Sequence, residues 1–297
     1  MPPSSTPFTH PAVSSRSVFN MDIFNGKVLF CTGGGSGICK AMTEAMMHHG
    51  VEAAIVGRNI ERLVQASQEL SKLTGKACLP VQADVRKHEQ LRDAVAKTLE
   101  KFGRIDFVIC GAAGNFLAPI ENLSENAFRT VMEIDTIGTY QTIKATLSHV
   151  RESHGAYIHV SAMLHFRGTP YQAHVSAAKA GVDALSNVLA VEEGPRGVRS
   201  NVISPGPVAN TVGMDRLTST AKGASEATAS IIPLQRMGHV MDIANATVFL
   251  FSDAASWITG QVLAVDGGEH HIGGPMLPYP SSVLDIEGSK ELIKAKM

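Results

Sequence analysis

The chain has 297 residues, 44% of them hydrophobic, and a formal net charge of -1. That length and apolar content can bury a substantial α/β core. The neutral balance, with no run of Lys or Arg, excludes nucleic acid as the main partner, and no stretch of about 18 apolar residues exists to span a membrane.

Cys31, Cys39, Cys78 and Cys110 lie singly, mostly inside apolar runs. They read as reduced core thiols rather than a disulfide framework or a metal site. The N-terminus lacks a charged-then-apolar leader, so a soluble intracellular protein is expected. The opening stretch MPPSSTPFTHPAVSSRSVFN is rich in Pro and Ser and shows no period, which predicts a mobile arm over residues 1–21.

From Lys27 onward, short apolar runs alternate with helix-period segments. KVLFCTG, EAAIVGR, KACLPVQAD, IDFVICGAA, AYIHVSA, VRSNVISPG and QVLAVDGG read as strands buried on both faces. KAMTEAMMHHG, NIERLVQASQELSKLTG, HEQLRDAVAKTLEKFG and AAKAGVDALSNVLAVEEG read as helices, each closed by Gly. This alternation predicts a Rossmann-type doubly wound α/β fold: seven parallel strands with helices on both faces, in one domain over residues 22–268. Residues 269–297 read as a tail that begins with Gly/Pro-rich linker chemistry.

TGGGSGIC, Thr32 to Cys39, joins the first strand to the first helix. Gly33 and Gly37 let the backbone turn sharply and approach a pyrophosphate, whose charge would meet the unpaired N–H groups of the helix N-terminus. At the end of the second strand an acid would bind the ribose 2′-OH of NAD, but the sequence there is IVGRN. Arg58 suits a 2′-phosphate, which predicts NADPH.

Several stretches together make the chain resemble the short-chain dehydrogenase/reductase family over residues 24–268: TGGGSGI, ADV at 83–85, GAAG at 111–114, Lys179, SPGPV at 204–208 and VDGG at 265–268. The resemblance implies a cofactor site in which Gly33, Ser36, Gly37 and Ile38 form the glycine turn and Arg58 follows the second strand. Asp84 and Val85 would flank the adenine, and Ala112 and Ala113 would line the ribose. Lys179 would hold the nicotinamide ribose, with Pro205, Gly206 and Val208 running past the nicotinamide.

The departures carry as much information. Family members acting on alcohols and ketones use Asn, Ser, Tyr and Lys. Here Asp135, Ala162 and Val175 occupy the first three positions, only Lys179 remains, and Cys39 replaces the last motif glycine. A ketone reduction needs a phenol to protonate the forming alkoxide, so that reaction is excluded by this route. GAAGNFLAP, NAFRTVMEIDTIGT, QAHVSAAKAGVDAL and IPLQRMG resemble the family's peroxisomal 2,4-dienoyl-CoA reductase branch, in which an acid stands at position 135. Ala295, Lys296 and Met297 resemble the C-terminal tripeptide read by the peroxisomal import receptor.

The branch resemblance implies reduction of a fatty dienoyl-CoA, with Asp135 and Lys179 as the catalytic pair. Lys179 would lend positive charge while Asp135 orders the water that delivers a proton. Arg86, Phe116, Ser124, Asn126 and Arg216 are the expected acyl-CoA contacts, and residues 209–230, rich in small and polar residues, read as a lid. His174 is an alternative acid, but its neighbours turn it from the nicotinamide. His270 and His271 read as surface residues, and no metal is expected. The helices DTIGTYQTIKATLSHV and AKAGVDALSNVLAVEEG carry apolar residues on more than one face, which predicts a homodimer or homotetramer. A reductase of another enone or thioester, and a catalytically silent nucleotide sensor, remain as alternatives.

Overall fold

A computed structural model describes residues 14–211 and 224–272. Seven strands occupy the predicted apolar runs: β1 Val28–Thr32, β2 Glu52–Gly57, β3 Cys78–Gln82, β4 Phe107–Cys110, β5 Ala156–Val160, β6 Arg199–Pro205 and β7 Val262–Val265. They form one parallel sheet in the order β3-β2-β1-β4-β5-β6-β7. The chain winds outward from β1 in one direction and from β4 in the other. A crevice therefore opens above the paired ends Thr32 and Cys110, where this fold class binds ligands.

Side chains alternate across the sheet and feed two cores. Leu29, Cys31, Ile55, Phe107 and Ile109 point into one, and Phe30, Ala54, Val56 and Val108 into the other. Around the sheet lie α1 Gly37–His48, α2 Ile60–Thr74, α3 His88–Phe102, α4 Glu125–Met132, α5 Gly138–Ser153, α6 Ala173–Glu193, α7 Ala224–Ser230 and α8 Val240–Phe251. Asn59 caps α2 by accepting the Arg62 N–H at 2.7 Å, and Gly75 and Gly103 end α2 and α3 in the left-handed conformation. The sequence reading contained no helix at α8. It opens with a capping box between His239 and Asp242, and it packs along α1 through Ile243, Ala244 and Val248.

Two expectations are corrected here. The predicted arm is anchored before residue 21: Ser15 is buried, its hydroxyl lies 3.0 Å from Nε2 of buried His49, and the Asn20 carbonyl lies 2.9 Å from Nδ1 of the same ring. Two polar contacts to one buried ring outweigh the arm's Pro/Ser composition at this end, while residues 1–13 lie outside the described residues. The single helix expected around position 135 is α4 and α5 joined by a π-helical turn, Glu133–Ile137. Neighbouring elements crowd this turn. A Cβ on Gly138 would meet Val85 Cγ2 at 2.6 Å, one on Gly181 would meet Thr136 Cγ2 at 2.7 Å, and Thr136 donates to the Ala178 carbonyl at 2.8 Å. The π turn itself is thus seated directly on α6.

Candidate active site

The crevice holds a cavity of about 740 Å³ whose wall includes Gly33, Ser36, Gly37, Ile38 and Cys39. Gly33 has φ +76°, and a Cβ there would stand 2.8 Å from the Gly111 carbonyl oxygen, so only glycine fits this turn. Cys39 is tolerated in place of a glycine because Gly111 leaves room for its sulfur, which lies 3.7 Å from the Gly111 oxygen. Backbone exposed in this way at the start of α1 fits a dinucleotide pyrophosphate.

Further along the wall, Arg58 is joined by Glu61 and Arg62, two residues the sequence reading did not single out. Asp84, Val85, Ala112 and Ala113 also line the cavity. The carboxylate of Asp84 grips Arg86, with Nη2–Oδ2 at 2.6 Å and Nε–Oδ1 at 3.0 Å, and this pairing holds its acidity stronger than usual. The Arg86 guanidinium, expected on acyl-CoA, therefore lies against a cofactor-wall residue.

Beside Ile134 and Val160 of the cavity wall, the π turn carries Asp135 and α6 carries Lys179, both almost fully buried. Lys179 Nζ lies 2.8 Å from Asp135 Oδ1 and donates to the Val160 carbonyl at 2.9 Å. The Gly114 N–H donates to Asp135 Oδ2 at 2.8 Å. Four separate elements thus fix one buried ion pair, which a low-dielectric site tolerates only when further hydrogen bonds complete it.

Apolar groups surround the pair. Val175, where the resemblance expects tyrosine, packs with Val131 and Ala178 against Phe116, Met132 and Leu164. Ala162, where a serine is expected, begins the short turn Met163–His165. His174 is completely buried and stacked on Phe116, with ring centroids 4.2 Å apart. Burial pushes its pKa down, opposed by the Phe116 backbone and the Asp135 charge. The sequence reading passed over Asp183 and His165, which lie beside this centre. His165 Nε2 is 3.0 Å from Asp183 Oδ2, and burial raises the Asp183 pKa against the pull of Ser161, His165 and Lys179. Its i+4 spacing from Lys179 was the available signal.

Other expected residues have local partners. Gly206 abuts Asp266, where a Cβ would come within 2.6 Å, and Val208 is buried in the core. Ser124 caps α4 by accepting the Ala127 N–H at 3.2 Å, and Asn126 is exposed in the next turn. His270 is a correction: it is half-buried and Nδ1 lies 2.6 Å from Asp266 Oδ2, because the turn after β7 folds back on that carboxylate. Arg216, residues 212–223 of the expected lid and Ala295–Lys296–Met297 lie outside the described residues.

Comparison with known proteins agrees with this geometry. A family described as enoyl-(acyl carrier protein) reductase matches residues 33–270. The peroxisomal 2,4-dienoyl-CoA reductase of Saccharomyces cerevisiae, named as (3E)-enoyl-CoA-producing, is 52% identical over 91% of this chain and 93% of its own. The like-named Danio rerio protein is 46% identical over 84% of each chain. A short-chain type dehydrogenase/reductase from Mycobacterium ulcerans superimposes with a TM-score of 0.82 at 30% identity, covering 92% of this chain and 99% of its own. A crevice built to take a nicotinamide dinucleotide, the seven-stranded sheet and these likenesses together establish that the chain belongs to the short-chain dehydrogenase/reductase family, in the branch of the 2,4-dienoyl-CoA reductases.

Proposed function

We propose that the protein reduces 2,4-dienoyl-CoA to 3-enoyl-CoA with NADPH, in peroxisomal β-oxidation of unsaturated fatty acids. The observation that carries this reading is the buried Asp135–Lys179 pair, at 2.8 Å, in a site whose tyrosine and serine positions hold Val175 and Ala162. A centre lacking the phenol and the hydroxyl is unsuited to an alkoxide but compatible with an enolate.

When bound, NADPH supplies hydride to C5 of the conjugated acyl group, and the charge spreads to the thioester oxygen. Lys179, held by the Val160 carbonyl, lends positive charge to the developing enolate and anchors the nicotinamide ribose. Asp135, fixed by Gly114, orients the water that returns a proton to C2. The apolar wall of Phe116, Val131 and Val175 excludes other water and accommodates the acyl chain. Arg58, just after β2, and Arg62, in the first turn of α2, favour a 2′-phosphate over a free 2′-OH.

The like-named relatives support peroxisomal residence, with Ala295–Lys296–Met297 as the receptor-read signal. Exposed Ile137 and Tyr140 near the start of α5, and Val188 and Val191 on α6, support a homo-oligomer joined through these helices. The test is product analysis. Purified protein, NADPH and a 2,4-dienoyl-CoA should yield the 3-enoyl-CoA, identified by NMR. Formation of the 2-enoyl isomer alone would move the proton to another carbon and contradict the role given to Asp135. A silent nucleotide sensor would bind NADPH and form neither product.

A further inference from the structure

His174 is one of several buried polar side chains near this centre that the reaction, as described, leaves without a task. It stands on the first turn of α6, is 0% exposed and stacks on Phe116 with an interplanar angle of 28°. Among the described residues neither Nδ1 nor Nε2 makes a hydrogen bond of ordinary geometry, the Phe116 backbone acting on the ring without completing one, and Asn115 Oδ1, one residue before Phe116, is likewise buried without a partner. Leaving such groups unmatched costs roughly 1–3 kcal/mol each. Native proteins meet that cost with ordered water when two or more polar groups converge.

The same loop ties His174 to the catalytic carboxylate. Gly114 donates to Asp135 Oδ2 at 2.8 Å, Asn115 follows, and Phe116 covers the His174 ring. The Asp135 charge favours the protonated imidazole, opposing the burial that pushes its pKa down. Asp135 spends one oxygen on Lys179 and the other on Gly114, and each oxygen keeps a second lone pair for water. Lys179, one turn further along α6, approaches the carboxylate from its other oxygen.

We infer that His174 is a positioning residue for the proposed reduction: its imidazole N–H, acting through a buried water, holds the Asp135 carboxylate in the orientation that aims the proton-delivering water at C2. Phe116 then has two tasks, walling the acyl site and shielding this bridge from bulk solvent. The inference rests on the reductase reading and deepens it. No proton leaves the imidazole in this arrangement, so the ring donates one hydrogen bond and stays neutral.

The test uses His174→Phe, which keeps the ring stack and removes both nitrogens, and His174→Gln, which restores a donor and an acceptor. Each is measured in the parent and in the Asp135→Asn background, with thermal melting to certify the fold. His174→Phe should lower kcat about tenfold or more while KM for the dienoyl-CoA stays within about twofold. His174→Gln should recover part of the loss, and His174→Phe should change kcat by less than about twofold once Asp135 is Asn. Equal losses in both backgrounds, or a folded His174→Phe enzyme with kcat within twofold of the parent, would overturn the inference.

A readout independent of turnover guards against a variant that does not fold. With 15N-labelled histidine and bound NADPH, Asp135→Asn should shift the His174 ring nitrogens; unchanged resonances would overturn the bridge. If the parent itself does not turn over dienoyl-CoA, the reductase reading fails instead, and the resonances still decide whether His174 and Asp135 are joined.

Discussion

The glycine turn of the crevice is made of backbone, whereas the end proposed as catalytic is built on a pair of charged side chains. At the first, Gly33 and Gly37 shape a turn that one contiguous stretch specifies, with Gly111, Ala112 and Ile55 among its close neighbours from elsewhere. At the second, Gly114, Asp135, Val160 and Lys179 come from four separate elements, and their geometry exists only once the sheet, the π turn and α6 have docked. The first end should therefore fail locally when altered, and the second should report on the stability of the whole molecule.

The largest expected effect is at the catalytic end. Lys179→Ala leaves Asp135 as a buried charge without its cation, a change that costs about 3–5 kcal/mol in comparable sites. The urea unfolding midpoint should fall accordingly, and adding Asp135→Asn should restore part of it. An unchanged midpoint for Lys179→Ala would show that the pair contributes nothing to folding.

Next comes the glycine turn. Gly33→Ala forces a left-handed residue, at about 1–3 kcal/mol, and drives a Cβ to 2.8 Å from the Gly111 oxygen. NADPH affinity, measured by fluorescence titration, should fall by about tenfold or more, because the loop that meets the pyrophosphate must shift. Wild-type affinity in this variant would remove the argument for a backbone-built site.

A third test concerns the sheet beneath both ends. His159 on β5 is fully buried and its pKa is pushed down to about 3 by desolvation, below the ordinary value of about 6.5. The folded state thus keeps His159 neutral where the unfolded chain protonates it. This contribution is complete above pH 6.5 and is lost as the pH falls toward 3, by roughly 1.4 kcal/mol per pH unit. His159→Gln should flatten the fall in denaturation free energy between those limits; a parallel curve would contradict the assignment.

The smallest effect is expected at the rim. Arg58→Ala should reduce the preference for NADPH over NADH by about tenfold, the order of one charge-assisted hydrogen bond to phosphate. An unchanged ratio would pass the specificity to Arg62, which shares the cavity wall.

The contrast between the two ends also explains what was legible in the sequence. The seven strands could be read because each is a short apolar run bounded by Gly or charged residues, and the glycine turn because it is contiguous with β1 and α1. Asp135 and Lys179 stood out through their family resemblance. Their 2.8 Å pairing did not, because it depends on a π turn that no local pattern announces. The α8 helix escaped notice because its capping box starts at His239, which is not a Ser, Thr, Asp or Asn. The anchoring of the arm depends on His49, distant in sequence and uninformative until its two ring nitrogens are seen to be engaged. Asp183 and His165 were missed for the same reason, being joined only by the fold.

The central claim is that a reductase can work here with an acid–lysine pair in place of a phenol. The most direct measurement follows NADPH oxidation by near-ultraviolet absorbance, with the parent and Asp135→Asn each given a 2,4-dienoyl-CoA or a simple ketone. The account predicts turnover by the parent with the dienoyl-CoA alone, and loss of most of that turnover in a folded Asp135→Asn protein that still binds NADPH. Ketone reduction by the parent, or full dienoyl-CoA turnover by Asp135→Asn, would contradict it.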